Sequence, residues 1–198
     1  MTKDWTGNKA ATFVTLAASN HSKGEREEND YYATDPKAVS MLLSVEKFHS
    51  YIWECACGEG HISEELKKNG YNVWSTDLID RGYGGVKDFF SFNAQLKDKI
   101  DIITNPPYKY AQEFVEHAME LVQEGCKVAM LLKIQFLEGK SRNELFKTYP
   151  PEKVYVFSQR VNCAKNGEFD KYKSSAVCYA WFVWRKGFKG SPTIHWLI

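Results

Sequence analysis

Tyr51-Ile52-Trp53-Glu54-Cys55-Ala56-Cys57-Gly58-Glu59-Gly60 is the stretch on which the fold turns. Tyr51-Ile52-Trp53 is a short apolar run of the buried-strand type. Gly58 and Gly60 then open a helix that carries Ile62 and Leu66 four residues apart and stops at Gly70. Downstream the same alternation continues. Tyr71 to Thr76 reads as a second strand ending in Asp77, and a weaker strand precedes or includes Asp88-Phe89-Phe90. Ile100 to Thr104 is a strand broken by Pro106-Pro107, and the helix after it, from about Tyr110 to Val122, puts Phe114, Val115, Ala118, Met119 and Val122 on one face. Lys127 to Leu132 and Lys153 to Phe157 read as strands, with Arg142 to Lys147 helical between them. Ser175 to Trp184 is the longest strand, and Thr193 to Leu197 is expected to pair near it. Residues 158–175, polar and containing Asn166-Gly167, read as a long surface loop.

Upstream, Asp35 followed by Pro36 is a helix cap with proline in the first turn, and Val39, Leu42 and Leu43 fall on one helical face. Residues 1–30 lack a sustained period and read as an arm or lid. Strand and helix alternate at least four times, which predicts one α/β domain over residues 31–198: a mostly parallel sheet of about seven strands with helices on both faces.

Composition bounds the function. The 198 residues are 43% hydrophobic, 15% aromatic and 26% charged, a globular balance. The longest apolar run, Ala176 to Trp184, is far shorter than the ~20 residues of a membrane helix. Five cysteines without framework spacing suit a reducing cytosol, and no basic-then-apolar leader opens the chain, so a cytoplasmic protein is expected. The net charge of +1 hides an asymmetry: residues 1–125 carry 13 Lys and Arg against 20 Asp and Glu, and residues 126–198 carry 13 against 5. A basic half borders an anionic ligand such as nucleic acid, or is simply a solvated surface.

Ligands of such sheets sit beyond the carboxyl ends of the strands, and three strand ends here carry unusual residues. The first is the glycine turn Glu54 to Gly60. It permits close backbone approach to a ligand, although a structural tight turn reads the same way and Ser63 stands where a dinucleotide fingerprint has its third glycine. Cys55 and Cys57 have no partnering Cys or His cluster, so no metal is expected and the thiols read as small apolar wall residues. The second is Asp77, whose carboxylate suits the two hydroxyls of a ribose or caps the following turn. Asp88-Phe89 suits an adenine ring, the carboxylate on its amine and the phenyl against its face. The third is Asn105-Pro106-Pro107-Tyr108. Two prolines lack amide hydrogens and fix φ, so an amide, a stiff carbonyl and an aromatic ring sit together at the sheet's mouth.

Tyr31-Tyr32-Ala33-Thr34-Asp35-Pro36, then Glu54 to Gly60, Asp77, Asp88-Phe89 and Asn105 to Tyr108, in that order, resemble the S-adenosylmethionine-dependent amino-methyltransferases, most nearly the small adenine-specific DNA methyltransferases of phages and prophages. The resemblance implies a Rossmann-like methyltransferase fold and S-adenosylmethionine as cofactor, with DNA preferred over RNA as partner. It implies that Glu54, Cys55, Ala56, Gly58 and Gly60 meet the methionine part of the donor. Asp77 and Leu78 would meet its ribose side, Asp88 and Phe89 its adenine, and Thr34 and Asp35 would close over its amino-acid end. Asn105, Pro106, Pro107 and Tyr108 are the implied catalytic set, and Asn105 is implied to meet the donor as well. Two departures stand out. Cys55 replaces a frequent proline, and the chain carries no separate target-recognition domain.

An exocyclic amine on adenine is a poor nucleophile because its lone pair is delocalised. An Asn105 oxygen and the Pro106 carbonyl accepting its two hydrogens favour a pyramidal nitrogen, and Tyr108 is placed to stack on the extruded base. Lys109, Lys133, Arg142, Arg160, Lys165 and Lys171 are candidates for backbone phosphates. Protein glutamine methylation uses the same four-residue motif and stays open beside guanine-N2, cytosine-N4 and RNA adenine. A catalytically decayed binding module and a nicotinamide oxidoreductase are the readings from other classes.

Overall fold

The structure, a computed structural model, describes residues 33–159, 161, 163–164 and 177–198. The expected arm over residues 1–30 lies outside them. Strand β1 (Ala33–Thr34) leads into helix α1 (Pro36–Val45), where Asp35 Oδ1 accepts from Lys37 N at 2.9 Å and Pro36 takes the first turn. The strand β2 (Tyr51–Glu54) runs through the glycine turn into α2 (His61–Lys68). Gly60 sits in the left-handed region at φ 85°, which lets the turn close before the helix starts, and Gly70 at φ 86° ends the run. An eight-residue helix is marginal alone in water. Here Ile62 and Leu66, both buried, hold it on the sheet.

Next come β3 (Asn72–Asp77), β4 (Gly85–Val86), β5 (Ile100–Thr104), α3 (Ala111–Leu121) and β6 (Lys127–Lys133). The chain closes with α4 (Asn143–Thr148), β7 (Lys153–Phe157), β8 (Cys163–Ala164), β9 (Tyr179–Arg185) and β10 (Thr193–Leu197). Eight strands form one sheet in the order β10-β7-β9-β6-β5-β2-β3-β4. Every neighbouring pair is parallel except the two that β9 makes with β6 and β7. Helices α1 and α2 bury Val39, Leu42, Ile62 and Leu66 against one face, while α3 and α4 bury Phe114, Val115, Met119 and Leu145 against the other. The continuous apolar runs of β6 and β9 follow from burial on both faces. The indoles of Trp181 and Trp184 stay satisfied in that core by donating to Ala38 O and Tyr149 O at 2.9 and 3.0 Å.

The single α/β architecture agrees with the expectation, and the structure sharpens it at four points. The sheet has eight strands rather than about seven, because short β4 and late β10 extend its two edges. β10 pairs with β7, not with β9; both edges of β9 are already occupied, so the returning chain must cross to the outer edge of β7. The weak strand precedes Asp88 as Gly85–Val86, and Asp88 itself caps a 3-10 turn over Phe89–Ser91, its Oδ1 accepting from Phe90 N at 2.9 Å. Within the expected loop 158–175, Cys163–Ala164 is a strand paired antiparallel with β1.

Candidate active site

β2 pairs with β3 on one side and β5 on the other, Trp53 lying opposite Trp74 and Ile102. The carboxyl ends of β2 and β5 therefore lie next to each other while the two crossovers depart in opposite directions, which opens a crevice there. A cleft of about 870 Å³ occupies that place. Glu54, Cys55, Ala56 and Cys57 line it from β2, Asp77 and Leu78 from β3, and Asn105, Pro106, Pro107 and Tyr108 from β5. Thr34, Asp88, Phe89, Lys109 and Lys133 also face it.

Gly58 and Gly60 close the turn rather than line the cleft. Gly58 N donates to Asp77 Oδ2 at 2.8 Å and Gly60 N to Cys57 O at 2.8 Å. A Cβ on Gly60 would stand 2.5 Å from the Tyr83 ring, so the glycine makes room for that ring to cover the turn. Asp77 Oδ1 accepts from Ile79 N at 2.9 Å. With one backbone N–H on each oxygen, the carboxylate keeps further acceptor sites for two hydroxyls.

Glu54 is 1% exposed, and Ser63 Oγ donates to its Oε2. Burial pushes the Glu54 carboxyl well above the usual carboxylate range, Ser63 opposes this, and the charge of Asp77 adds to it. Burial likewise raises the Cys55 thiol, and pushes Cys57 up to about 12, so both are protonated wall residues at neutral pH.

Asn105 Nδ2 donates to Thr34 Oγ1 at 3.0 Å, which places the amide nitrogen toward β1 and the oxygen at the other end. Pro107 O accepts from Tyr110 N at 2.9 Å and closes the turn after the two prolines. The Tyr108 ring lies 5.8 Å from that of Tyr179, and the Lys133 ammonium stands 4.7 Å from its centroid. Lys109 Nζ is 5.0 Å from the Tyr110 ring.

Two expected residues serve elsewhere, and a third is packed into the wall of the cleft. Asp35 caps α1. The Phe89 ring is 2% exposed and stacked on Phe114 at 4.8 Å, leaving Phe90, 40% exposed, as the accessible ring beside it. The Arg142 guanidinium donates to Phe136 O at 2.8 Å, Gln135 O at 3.3 Å and Glu138 O, so it clamps a turn over Ile134–Leu137. Arg160, Lys165 and Lys171 lie outside the described residues. Among the described residues, one trio with metal-ligand atoms within 4.8 Å of one another, His49, Asp101 and Cys126, sits at the amino ends of the strands, away from the cleft. There Asp101 accepts from His49 N at 2.6 Å and Lys127 N at 2.7 Å, tying two loops to β5.

No family model matches the sequence, and no curated protein does. Solved structures do. A chain described as a modification subunit of a type I restriction enzyme from Vibrio vulnificus YJ016 aligns with a TM-score of 0.59 at 12% identity, over 94% of this chain and 50% of that one. A class I S-adenosylmethionine-dependent methyltransferase from Listeria monocytogenes aligns at 0.56 and 14%, over 93% and 71%. An RNA methyltransferase from Pyrococcus horikoshii aligns at 0.57 and 13%, over 91% and 100%. The fold is that of the Rossmann-like methyltransferases. This chain spans half the length of the first neighbour. Within this methyltransferase fold, His61, Ile62, Ile79, Arg81, Phe90, Tyr110 and Phe114 also line the cleft and were missed from sequence. Most adjoin a residue that was found, so the signal was adjacency: Ile79 follows Leu78, Phe90 follows Phe89, and His61 opens α2 directly after Gly60.

Proposed function

We propose that this chain transfers a methyl group from S-adenosylmethionine to an exocyclic amino nitrogen of a nucleic-acid base, adenine N6 in DNA. The observation that carries the reading is that Asn105-Pro106-Pro107-Tyr108 leaves β5 into the same cleft that Glu54 to Cys57 and Asp77 enter from β2 and β3. The cleft fits the donor: its size is that of pockets which engulf a drug-sized ligand. Asp77 has acceptor sites for a ribose, and Glu54 offers a buried carboxyl for a cationic amino-acid end.

Bound there, the donor supplies an electrophilic sulfonium methyl, whose S–C bond breaks with the electron pair kept by sulfur as the N–C bond forms. Asn105 Oδ1 and the Pro106 carbonyl accept the two hydrogens of the target amine, which localises its lone pair toward the methyl group. The charge that develops on nitrogen is released as one proton to water. Tyr108 stacks on the base, an interaction of roughly 1–3 kcal/mol, and offsets part of the few kcal/mol needed to extrude it. Lys109 and Lys133 remain cationic residues of the cleft, and Arg142 drops out of the proposed phosphate contacts because its donors hold backbone carbonyls.

Incubation with isotope-labelled S-adenosylmethionine and, separately, DNA, RNA and protein, followed by digestion to nucleosides or amino acids, tests the reading. Label in N6-methyldeoxyadenosine is the expected result. Label in glutamine, in ribonucleosides, or nowhere contradicts it.

A further inference from the structure

We infer that Thr34 is a positioning residue for the methyl transfer: its hydroxyl anchors the Asn105 amide so that the oxygen end is presented to the target amine. The inference rests on the methyl-transfer reading and departs from the donor-clasping role that resemblance implies for Thr34.

The geometry is direct. Asn105 Nδ2 donates to Thr34 Oγ1 at 3.0 Å, across 71 residues of sequence, and Thr34 is 3% exposed. An asparagine side chain turns about a soft terminal torsion, and its two ends are nearly the same size. With the nitrogen facing the target, two sets of N–H groups would oppose each other and the amine would lose an acceptor. With the nitrogen held by Thr34, both ends are matched: oxygen to the amine hydrogens, nitrogen to the hydroxyl. A hydroxyl can accept or donate; here the Thr34 hydroxyl accepts from Asn105 Nδ2, which leaves the oxygen end for the hydrogens of the amine.

The anchor is itself fixed on both sides. Immediately after Thr34 the chain is pinned by the Asp35 cap on Lys37 N. Across from Thr34, Cys163 of β8 is its register partner, so the two-residue pairing β1–β8 ties the anchor to the chain beyond β7. The Thr34 hydroxyl thus reaches Asn105 from a segment held at two points, which is what preorganisation of an acceptor requires.

Thr34→Val keeps the shape and removes the hydroxyl; Thr34→Ser keeps the hydroxyl and removes a methyl group. Single-turnover methylation of adenine-containing duplex DNA is measured at saturating donor, and S-adenosylhomocysteine affinity by calorimetric titration. Thr34→Val is expected to slow transfer by about 10²-fold, with S-adenosylhomocysteine affinity changed by less than about twofold. Thr34→Ser is expected to recover transfer to within about threefold of the unsubstituted chain. Normal transfer by Thr34→Val overturns the inference. So does loss of donor affinity with transfer at saturation intact, or a Thr34→Ser variant as slow as Thr34→Val, which would mark a packing role. In each of these cases the unsubstituted chain still methylates DNA and the parent reading survives; an unsubstituted chain that methylates nothing sinks both.

Discussion

Glu54 is the single side chain at which the fold and the proposed donor site meet. It ends β2, is almost wholly buried, and its carboxyl is pushed up by that burial. A group raised in this way opposes folding as pH climbs above the ordinary carboxylate range, so its placement is not explained by stability. A cationic amino-acid group beside it favours the carboxylate, so donor binding below the raised value must expel a proton. Affinity for S-adenosylhomocysteine is therefore expected to rise as pH climbs above the ordinary carboxylate range, and Glu54→Gln to bind weakly with a flattened profile; calorimetric titration over a series of pH values checks it. An identical profile in the variant would remove Glu54 from the donor site. At this scale the sequence was informative wherever chemistry is local. Glu54 and Asp77 end their strands and Asn105 directly follows one, and the end of a strand is visible in one dimension. Which of two adjacent phenylalanines is the exposed one was not, because Phe89 and Phe90 sit on a 3-10 turn where neither a period of two nor of 3.6 applies. Arg142 was misread for a related reason: its partners are carbonyls, and a backbone acceptor leaves no mark in the sequence.

Among elements, the tie between α1, β6 and β7 carries the most charge. Glu46, the residue that caps the carboxyl end of α1, accepts from Lys127 Nζ on β6, and from Lys153 Nζ at 2.9 Å and Tyr155 OH at 2.6 Å on β7. Burial alone would raise its carboxyl. The hydrogen bonds from Lys127, Tyr155 and Lys153 outweigh burial and pull it down to about 2. The stability this contributes is fully present above the ordinary value of 4.5 and fades as pH falls toward 2. Glu46→Gln is expected to destabilise the chain by roughly 2–3 kcal/mol at pH 7, allowing for the partly exposed lysines. In urea unfolding, the gap between the two proteins should close between about pH 4.5 and pH 2; a gap independent of pH would show that the ion pairs contribute nothing. This tie had no sequence signature, since its members are separated by 81 to 109 residues. Element punctuation, by contrast, was legible. Asp35-Pro36, Gly60 and Gly70 act on their own turns, and the structure uses them there. The pairing of β10 was not, because a strand joins whichever edge is vacant, and vacancy is a property of the assembled sheet.

For the whole molecule, the mostly parallel sheet changes the direction of its strand order between β2 and β5, and two otherwise unrelated turns meet there. One offers carboxyls and close backbone approach; the other offers an amide, a stiff carbonyl and an aromatic ring. Neither would amount to a site on the flank of a sheet, where a second turn does not face it. The neighbours in known structures share this frame at 12–14% identity, so the frame tolerates almost complete change of sequence while the residues at its carboxyl ends set the chemistry. The basic second half of the chain, +8 over residues 126–198, is compatible with a polyanionic partner, and its strands β6, β7, β9 and β10 belong to the same sheet as β2 and β3. The most direct test is a structure of the chain with S-adenosylhomocysteine bound. The ribose hydroxyls are expected on Asp77, with the sulfur facing the Asn105–Pro106 side of the cleft and space for a base between them. A ribose placed away from Asp77, or a sulfur turned from Asn105, would contradict the account.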